Sequence, residues 1–112
     1  MRAQLASALL LVAVQALAEE TLIPRSMPGD KGTYYLLQWK RQGDIVTTLH
    51  KRVGVDSVGY TRVETNCRTR MIRELGYSEM SAEAIKPNPT KWFALVPGSS
   101  KSDLAIFACA RH

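Results

Sequence analysis

The sequence predicts an α+β fold: an antiparallel β-sheet with a C-terminal α-helix packed on one face and tied to it by a disulfide. Three observations lead to this prediction. Strand-like segments follow one another over residues 33–75, a segment with a helix-capping pattern follows at 100–109, and each region contains one cysteine. The 112 residues are 46% hydrophobic and 22% charged. This composition favours a single folded domain, placed at 33–112, over disordered, collagen-like or coiled-coil chains.

Residues 1–18 have the features of a signal peptide that is removed on export. Arg2 provides a positive charge, residues 5–17 are mostly Leu, Ala and Val, and small residues occupy the predicted cleavage site at 16–18. The apolar run is too short to cross about 30 Å of hydrocarbon as a helix, so we expect no membrane span. No cysteine lies near the predicted cut, and we expect no lipid anchor. The segment predicts an exported protein.

Export affects how the two cysteines are interpreted. In an oxidising compartment two thiols pair more often than they bind metal, which favours a disulfide between Cys67 and Cys109. Closing a loop of about 40 residues stabilises a small domain by about 4 kcal/mol in the chain-entropy model. Two inert buried thiols and a redox site are the alternatives, and the sequence has no C-x-x-C spacing to favour the latter.

The first two predicted strands form a hairpin after a polar segment. Residues 19–32 contain two prolines and no periodicity, and we expect a flexible N-terminal arm. Residues 33–40, TYYLLQWK, are aromatic and branched, as in strands. Gly43 can supply the positive φ of a tight turn, and the second strand occupies 45–53.

Two further antiparallel strands follow. In residues 60–67, YTRVETNC, alternate side chains differ in polarity, and Cys67 lies on the more apolar face. A fourth strand is predicted at about 69–75. Residues 76–90 contain two prolines that end a short helical turn, and we expect a loop over the sheet.

A short strand and a helix complete the domain. The apolar residues 92–96 predict the strand. Ser100 has the position of an N-cap, with the carboxylate of Asp103 three residues later, and an apolar helical face follows. We expect Trp92 and Phe107 to be buried beneath this helix.

No motif predicts catalysis, a metal site or a cofactor. The two histidines, His50 and His112, belong to no cluster with metal-ligand spacing. A triad of Ser57, His50 and Asp44 lacks any sign of a nucleophile elbow, and we expect His50 to be a surface histidine in a hairpin. Residues 98–102 lack the first glycine of a phosphate loop, and their serines suit helix caps. We therefore predict a protein that is not an enzyme, with an enzyme of hidden site as the minor alternative.

Positive charge is concentrated on the predicted strands. Eight basic and three acidic residues lie between Lys40 and Arg73. Arginines bind carboxylate, sulfate and phosphate groups in bidentate geometry, and tyrosine with arginine is favoured at binding hot spots. A solvated face that discourages aggregation is the alternative interpretation. Export makes nucleic acid an unsuitable partner, so we expect a protein partner. The candidate partner-binding residues are Tyr60, Arg62, Arg68, Arg70 and Arg73.

Four segments give the chain a resemblance to a known family. They are WKRQGDIVT, GYTRVETNCRTRMIRELGY, KWFALVPGS and KSDLAIFACAR. Through them the chain resembles the surface-adhesin protein E-like family of small exported bacterial proteins over about residues 34–111. The resemblance implies a C-terminal helix tied to the concave face of the sheet by a Cys67–Cys109 disulfide and a capacity to dimerise. In the best-known members of the family it also implies binding of host matrix and serum proteins. The chain departs from the family at 78–90 and lacks a lipid-attachment cysteine.

Two functions follow as expectations. The first is a non-enzymatic exported binding protein of the bacterial cell envelope, an adhesin-like module that binds acidic protein or matrix surfaces through a basic sheet face. The second is a periplasmic structural or accessory protein that acts through a homodimer or an envelope-complex interface. Either would be located in the periplasm, at the cell surface or outside a Gram-negative bacterium.

Overall fold

The computed structural model describes residues 15–112, which form a six-stranded antiparallel sheet followed by one helix. Each strand pairs with its neighbour in sequence, so the sheet is a meander. The helix packs on one face, and a disulfide joins Cys67 to Cys109, which confirms the predicted fold class. The elements are β1 (Gln15–Leu22), β2 (Thr33–Gln42), β3 (Ile45–Val53), β4 (Val58–Asn66), β5 (Met71–Ser78), β6 (Phe93–Ala94) and α1 (Ser100–Cys109).

One face of the sheet, the covered face, lies against α1. Successive strand residues point to opposite faces, and residues paired across strands share a face. Trp39 Nε1 donates to the backbone oxygen of Ala108 in α1 at 3.0 Å, which identifies the face on which the helix lies. The covered face carries Tyr34, Leu36, Trp39, Arg41, Val46, Thr48, His50, Arg52, Thr61, Val63, Thr65, Ile72, Glu74, Tyr77 and Phe93.

The opposite face, the open face, has no helix against it. Bulges in β2 and between β4 and β5 shift the register by one residue, so simple alternation along those strands does not hold throughout. Paired residues nevertheless form continuous rows across the sheet. The open face carries Tyr35, Gln38, Lys40, Thr47, Leu49, Lys51, Tyr60, Arg62, Glu64 and Arg73.

The hydrophobic core lies between the covered face and α1. Leu36, Val63 and Ile72 of the sheet are fully buried, and Leu104 of α1 is 2% exposed. Burying one such aliphatic side chain stabilises the fold by about 1.5–3 kcal/mol. Phe107 is partly buried and packs against this core. The core therefore depends on the helix being in place.

The helix is capped at both ends. Ser99 is the N-cap, one residue before the predicted position, and its side chain accepts a hydrogen bond from the backbone N–H of Ser102 at 3.1 Å. At the other end Arg41 Nη1 donates to the backbone oxygen of Cys109 at 3.2 Å. Carbonyls in the last turn of a helix have no partner one turn ahead, and the bond from Arg41 provides one for the Cys109 oxygen. The bond from Trp39 adds a second donor to the Ala108 oxygen, which also accepts from the backbone N–H of Arg111 at 3.3 Å.

The N-terminal segment differs from its prediction. Residues 1–14 of the predicted signal peptide lie outside the described residues, and residues 15–18 belong to β1. Within the predicted arm, residues 19–22 complete β1, and Ile23 is 2% exposed in the core. Acidic residues are depleted in strands, so strand propensity did not predict β1.

The segment before α1 also differs in detail. The predicted strand at 92–96 is reduced to Phe93–Ala94, both exposed. Trp92 is only partly buried, and the Arg73 guanidinium lies 5.0 Å from its ring centroid. The prediction that Trp92 is buried beneath the helix is wrong because its ring stacks on an open-face arginine. No helix within residues 15–112 has the length and apolar character needed to cross a membrane.

Candidate functional site

The five predicted partner-binding residues occupy two places. Tyr60, Arg62 and Arg73 lie on the open face, in three adjacent rows of the sheet. Arg68 and Arg70 lie in the turn between β4 and β5, beside the disulfide. The structure therefore brings three of the five together on a surface and places the other two at its end.

On the open face, the arginines are held by neighbouring side chains. Arg62 Nη1 donates to Gln38 Oε1 at 3.0 Å, and this pair spans Leu49, which lies between them in the register and is 2% exposed. Arg73 Nε donates to Glu64 Oε1 at 2.8 Å while its guanidinium stacks on Trp92. Neither arginine extends freely into solvent.

The lysines add to the positive charge of this face. Lys51 forms an ion pair with Glu20 of β1, and its Nζ lies 5.5 Å from the ring centroid of Tyr35. Lys40 lies in the same row as Glu64 and Arg73. Over β2 to β5 the open face carries four cations and one carboxylate, so its field is positive even where individual charges are paired.

The β4–β5 turn has a different character. Arg68 Nε donates to Asp44 Oδ2 at 3.0 Å, and both side chains are mostly exposed. Arg70 has a φ of 64°, the left-handed conformation that is uncommon for a residue with a side chain. The side chain of Asn66 accepts from the backbone N–H of Arg68 and of Thr69, which holds the turn. These two arginines belong to the turn rather than to the open face.

A second group of polar residues surrounds a cavity of about 190 Å³ at the N-terminal end of α1. We call it the α1 cavity. It opens between the covered face and the first residues of the helix. Its lining residues are Tyr34, His50, Arg52, Ser57, Gly59, Thr61, Glu74, Tyr77, Ser100 and Lys101.

His50 is buried in this cavity wall, and the prediction of a surface histidine is wrong. It lies on the covered face and is 7% exposed, and its Nδ1 has no hydrogen-bond partner. Burial, together with the positive charge of Lys101, lowers the pKa of His50 to about 4. The alternation of Val46, Thr48 and His50 in β3 already indicated that they share a face. No local sequence pattern indicated that the helix would dock on this face and bury His50.

The structure separates the residues of the rejected triad. Ser57 and His50 line the same cavity, whereas Asp44 lies before the other end of β3 and pairs with Arg68. Six residues of extended strand correspond to about 20 Å. Asp44 therefore cannot orient His50, as a triad requires. Among the described residues no group of three His, Cys, Asp or Glu side chains could hold a metal ion.

Two ion-pair clusters, which sequence reasoning missed, fix the segment before β2. Asp103 of α1 accepts hydrogen bonds from Arg25 Nε at 2.7 Å and from the backbone N–H and hydroxyl of Ser26. Burial opposes ionisation of Asp103, but these bonds outweigh it and hold the pKa of the carboxyl below its usual value. Because Arg25 and Asp103 are 78 residues apart in sequence, no short-range pattern could reveal the pair.

The second cluster borders the α1 cavity. Asp30 accepts from Arg52 Nη2 at 2.7 Å and from the Tyr34 hydroxyl, and these bonds hold its pKa well below the ordinary value. Arg52 Nε also donates to the Tyr34 hydroxyl at 3.1 Å. On the other side of the cavity, Lys101 Nζ lies 2.9 Å from Glu74 Oε2. Both cations of the cavity are thus held in fixed positions.

Comparison with known proteins identifies no relative: the chain matches no protein-family model, no curated protein and no solved structure.

Proposed function

We propose that this protein is a non-enzymatic exported binding protein of the bacterial cell envelope, an adhesin-like module of the surface-adhesin protein E-like family. It binds acidic surfaces of an envelope protein or host matrix protein through the open face. The observation that carries the proposal is the rows of tyrosines and cations on a sheet face that has no helix against it.

The composition of the open face suits protein recognition. Tyr35 and Tyr60 flank Lys51 in one row, and Arg62 lies in the adjacent row. Tyrosine and arginine are enriched among the residues that contribute most to interface binding energy. Since the cations outnumber the carboxylate, an acidic partner surface gains both favourable contact and faster association.

Preorganisation adds to this argument. Ordering a long side chain on binding costs about 0.5–1.5 kcal/mol. Arg62 is already held by its hydrogen bond to Gln38. Arg73 is held by its bond to Glu64 and by stacking on Trp92. A partner carboxylate therefore meets guanidinium groups whose positions are largely set before binding.

The test compares two charge-matched triple variants. One removes open-face cations by Lys40→Gln, Arg62→Gln and Arg73→Gln. The control removes three cations away from the open face, by Lys31→Gln, Lys101→Gln and Arg111→Gln. Binding to immobilised poly-glutamate and to extracellular matrix proteins is measured between about 0.05 and 0.3 M salt.

We expect wild-type affinity to fall with added salt, the open-face variant to lose about tenfold or more, and the control to change by less than about threefold. Thermal unfolding checks that both variants remain folded. Binding that is insensitive to salt, or equal losses in the two variants, would contradict the proposal.

The edge of the sheet favours a second candidate function, a structural or accessory protein that acts as a homodimer or within an envelope complex. β6 is only two residues long; its own Phe93 is 38% exposed, and Val96, two residues after the strand, is 65% exposed. Unpaired sheet edges and exposed apolar side chains are frequent interface features. Sedimentation over a range of protein concentrations tests self-association: a monomer throughout contradicts the homodimer, whereas a dimer that Phe93→Glu dissociates supports it.

A further inference from the structure

We propose that a cavity on the open face takes up an apolar side chain of the partner protein, next to a partner carboxylate that pairs with Arg62. The volume of this cavity is about 260 Å³. Its lining residues are Arg62, Leu75, Ile85, Pro87 and Pro89. We call it the Arg62 cavity. The inference rests on the proposed function and deepens it, because it states what the partner surface must contain besides negative charge.

Gly76 allows a loop to form one wall of this cavity. It pairs with Arg62 across β4 and β5 and therefore belongs to the open face. A Cβ at this position would lie 2.6 Å from Cγ2 of Ile85 and 2.7 Å from the backbone oxygen of Lys86. Only a residue without a side chain permits this approach, so the loop packs directly on the strand and encloses a space beside Arg62.

The same loop is held along β5 by hydrogen bonds. The backbone N–H groups of Asn88 and Thr90 donate to carbonyls of β5 at 2.8 and 2.9 Å. Pro87 and Pro89 alternate with them and have no N–H to donate to a further strand. The outer edge of this segment therefore disfavours strand addition. Proline also restricts the backbone, so the cavity exists before binding and an inserted side chain need not order its walls.

Arg62 supplies a positive charge that no carboxylate neutralises by direct pairing. Its Nη1 donates to Gln38, which is neutral, and it forms no ion pair within residues 15–112. The other open-face arginine, Arg73, is paired with Glu64. A guanidinium has five N–H donors, so Arg62 can bind a partner carboxylate while it keeps its bond to Gln38.

The rest of the lining is apolar, and its size limits the occupant. Leu75, Ile85 and the two prolines favour displacement of water by an apolar group. A volume of about 260 Å³ equals that of about nine water molecules at ~30 Å³ each, below the about 300–1,000 Å³ of sites for drug-sized molecules. We infer that one aliphatic or aromatic side chain enters, from a segment in which it is adjacent to Asp or Glu.

The experiment compares two peptides of equal negative charge. Both are blocked, fluorescently labelled and rich in glutamate; one has a leucine at its centre, and the other has a serine there. Their dissociation constants for the purified disulfide-bonded protein are measured by fluorescence anisotropy at about 0.1 M salt. We expect the leucine peptide to bind about tenfold more tightly, because its side chain leaves water on entering the cavity.

The variants locate this preference for leucine. Leu75→Gln makes one wall of the cavity polar and should reduce the preference to less than about threefold, and Ile85→Gln in the opposite wall should do the same. Leu22→Gln is the matched control, because it changes an exposed leucine on the open face outside the cavity; the preference should stay within about twofold of wild type. Arg62→Gln should weaken both peptides about fivefold or more. Thermal unfolding checks that each variant is folded.

The outcomes separate this inference from the proposed function. Equal binding of the two peptides to wild type overturns the inference, while the proposed function stands if that binding decreases with added salt. The inference is also overturned if Leu22→Gln reduces the preference as much as Leu75→Gln, or if Arg62→Gln binds both peptides as wild type does. Shifts of the Ile85 methyl signals with free isocaproate, without any preference between the peptides, would assign the cavity to a small organic acid instead. If neither peptide binds, both proposals fail.

Discussion

The two faces of the sheet handle polar groups in opposite ways. The covered face buries Thr48, His50 and Thr65, and each has a side-chain atom without a hydrogen-bond partner. The open face carries more charge, yet Arg62 and Arg73 each have a partner there. The buried side-chain atoms without a hydrogen-bond partner therefore belong to the covered face. The difference predicts that changes on the covered side alter the free energy of unfolding, while changes on the open face alter binding.

The largest expected effect comes from the link between the sheet and the helix that covers it. Replacing Cys67 and Cys109 together by serine should lower the free energy of unfolding by about 4 kcal/mol, because the unfolded chain regains the entropy of a loop of about 40 residues. Urea unfolding of oxidised wild type and the double variant measures the change. A difference below about 1 kcal/mol would show that α1 stays docked without the covalent link.

Protonation of His50 is the next largest effect. Its pKa of about 4 lies below the ordinary 6.5, so the unfolded chain binds a proton more readily than the folded one between these values. The contribution of His50 to the free energy of unfolding is therefore at its maximum above pH 6.5 and decreases as the pH falls toward 4. At about pH 4.5 the loss is about 2–3 kcal/mol. The charged or titratable groups that line the same cavity are Tyr34, Arg52, Glu74, Tyr77 and Lys101.

Urea unfolding at about pH 7.5 and 4.5 tests this effect on three proteins. His50→Gln should show the smaller pH dependence, while His112→Gln, which changes an exposed histidine, should behave as wild type. Equal pH dependence in His50→Gln and wild type would mean that the covered face tolerates a charged imidazole.

The Asp103 carboxylate ties α1 to the segment before β2, and its loss should have a smaller effect. Asp103→Asn removes a charge that accepts from Arg25 and Ser26, at a cost of about 2 kcal/mol near neutral pH. The folded-state pKa lies below the usual value near 3.8, so this stabilisation is present above that value and is lost as the pH falls through the folded-state pKa.

Urea unfolding at neutral pH measures the cost, with Asp56→Asn in the exposed β3–β4 turn as the control. We expect the control to lie within about 0.5 kcal/mol of wild type. If the two variants were equally stable, residues 23–32 would contribute nothing to holding the helix.

The smallest effect is expected on the open face. Arg73 and Glu64 form an ion pair in which both side chains are partly exposed, and such pairs contribute about 0.5 kcal/mol. A double-mutant cycle with Arg73→Ala and Glu64→Ala measures their coupling. A coupling above about 2 kcal/mol would contradict the difference between the two faces, because the open-face charges would then stabilise the fold rather than mainly affect binding.

Local sequence patterns predicted much of the fold. The alternation around Cys67, the turn at Gly43 and the capping pattern near Ser100 predicted consecutive antiparallel strands from β2 onward and the helix after them. The disulfide was predicted from the two cysteines together with the expected export to an oxidising compartment. β1 was missed because its acidic residues have low strand propensity and it follows an apolar run typical of a signal peptide. The deciding contacts of β1 are with β2, which no local window contains.

The candidate sites were less predictable than the fold. The basic excess on the strands was visible in the sequence, but a bulge beside Arg62 and the turn at Arg70 determine which arginines share a face. The α1 cavity combines residues from β2 to β5 and α1, so its composition depends on helix docking. Register shifts and long-range docking are tertiary effects that periodicity does not encode.

The order of elements along the chain also governs when the core can close. All six strands precede α1, and each can pair with the strand made just before it. Until the helix is synthesised and Cys109 is available for oxidation, Val46, Val63 and Ile72 form an uncovered apolar surface on an otherwise complete sheet. This surface is the aggregation-prone feature of the nascent protein.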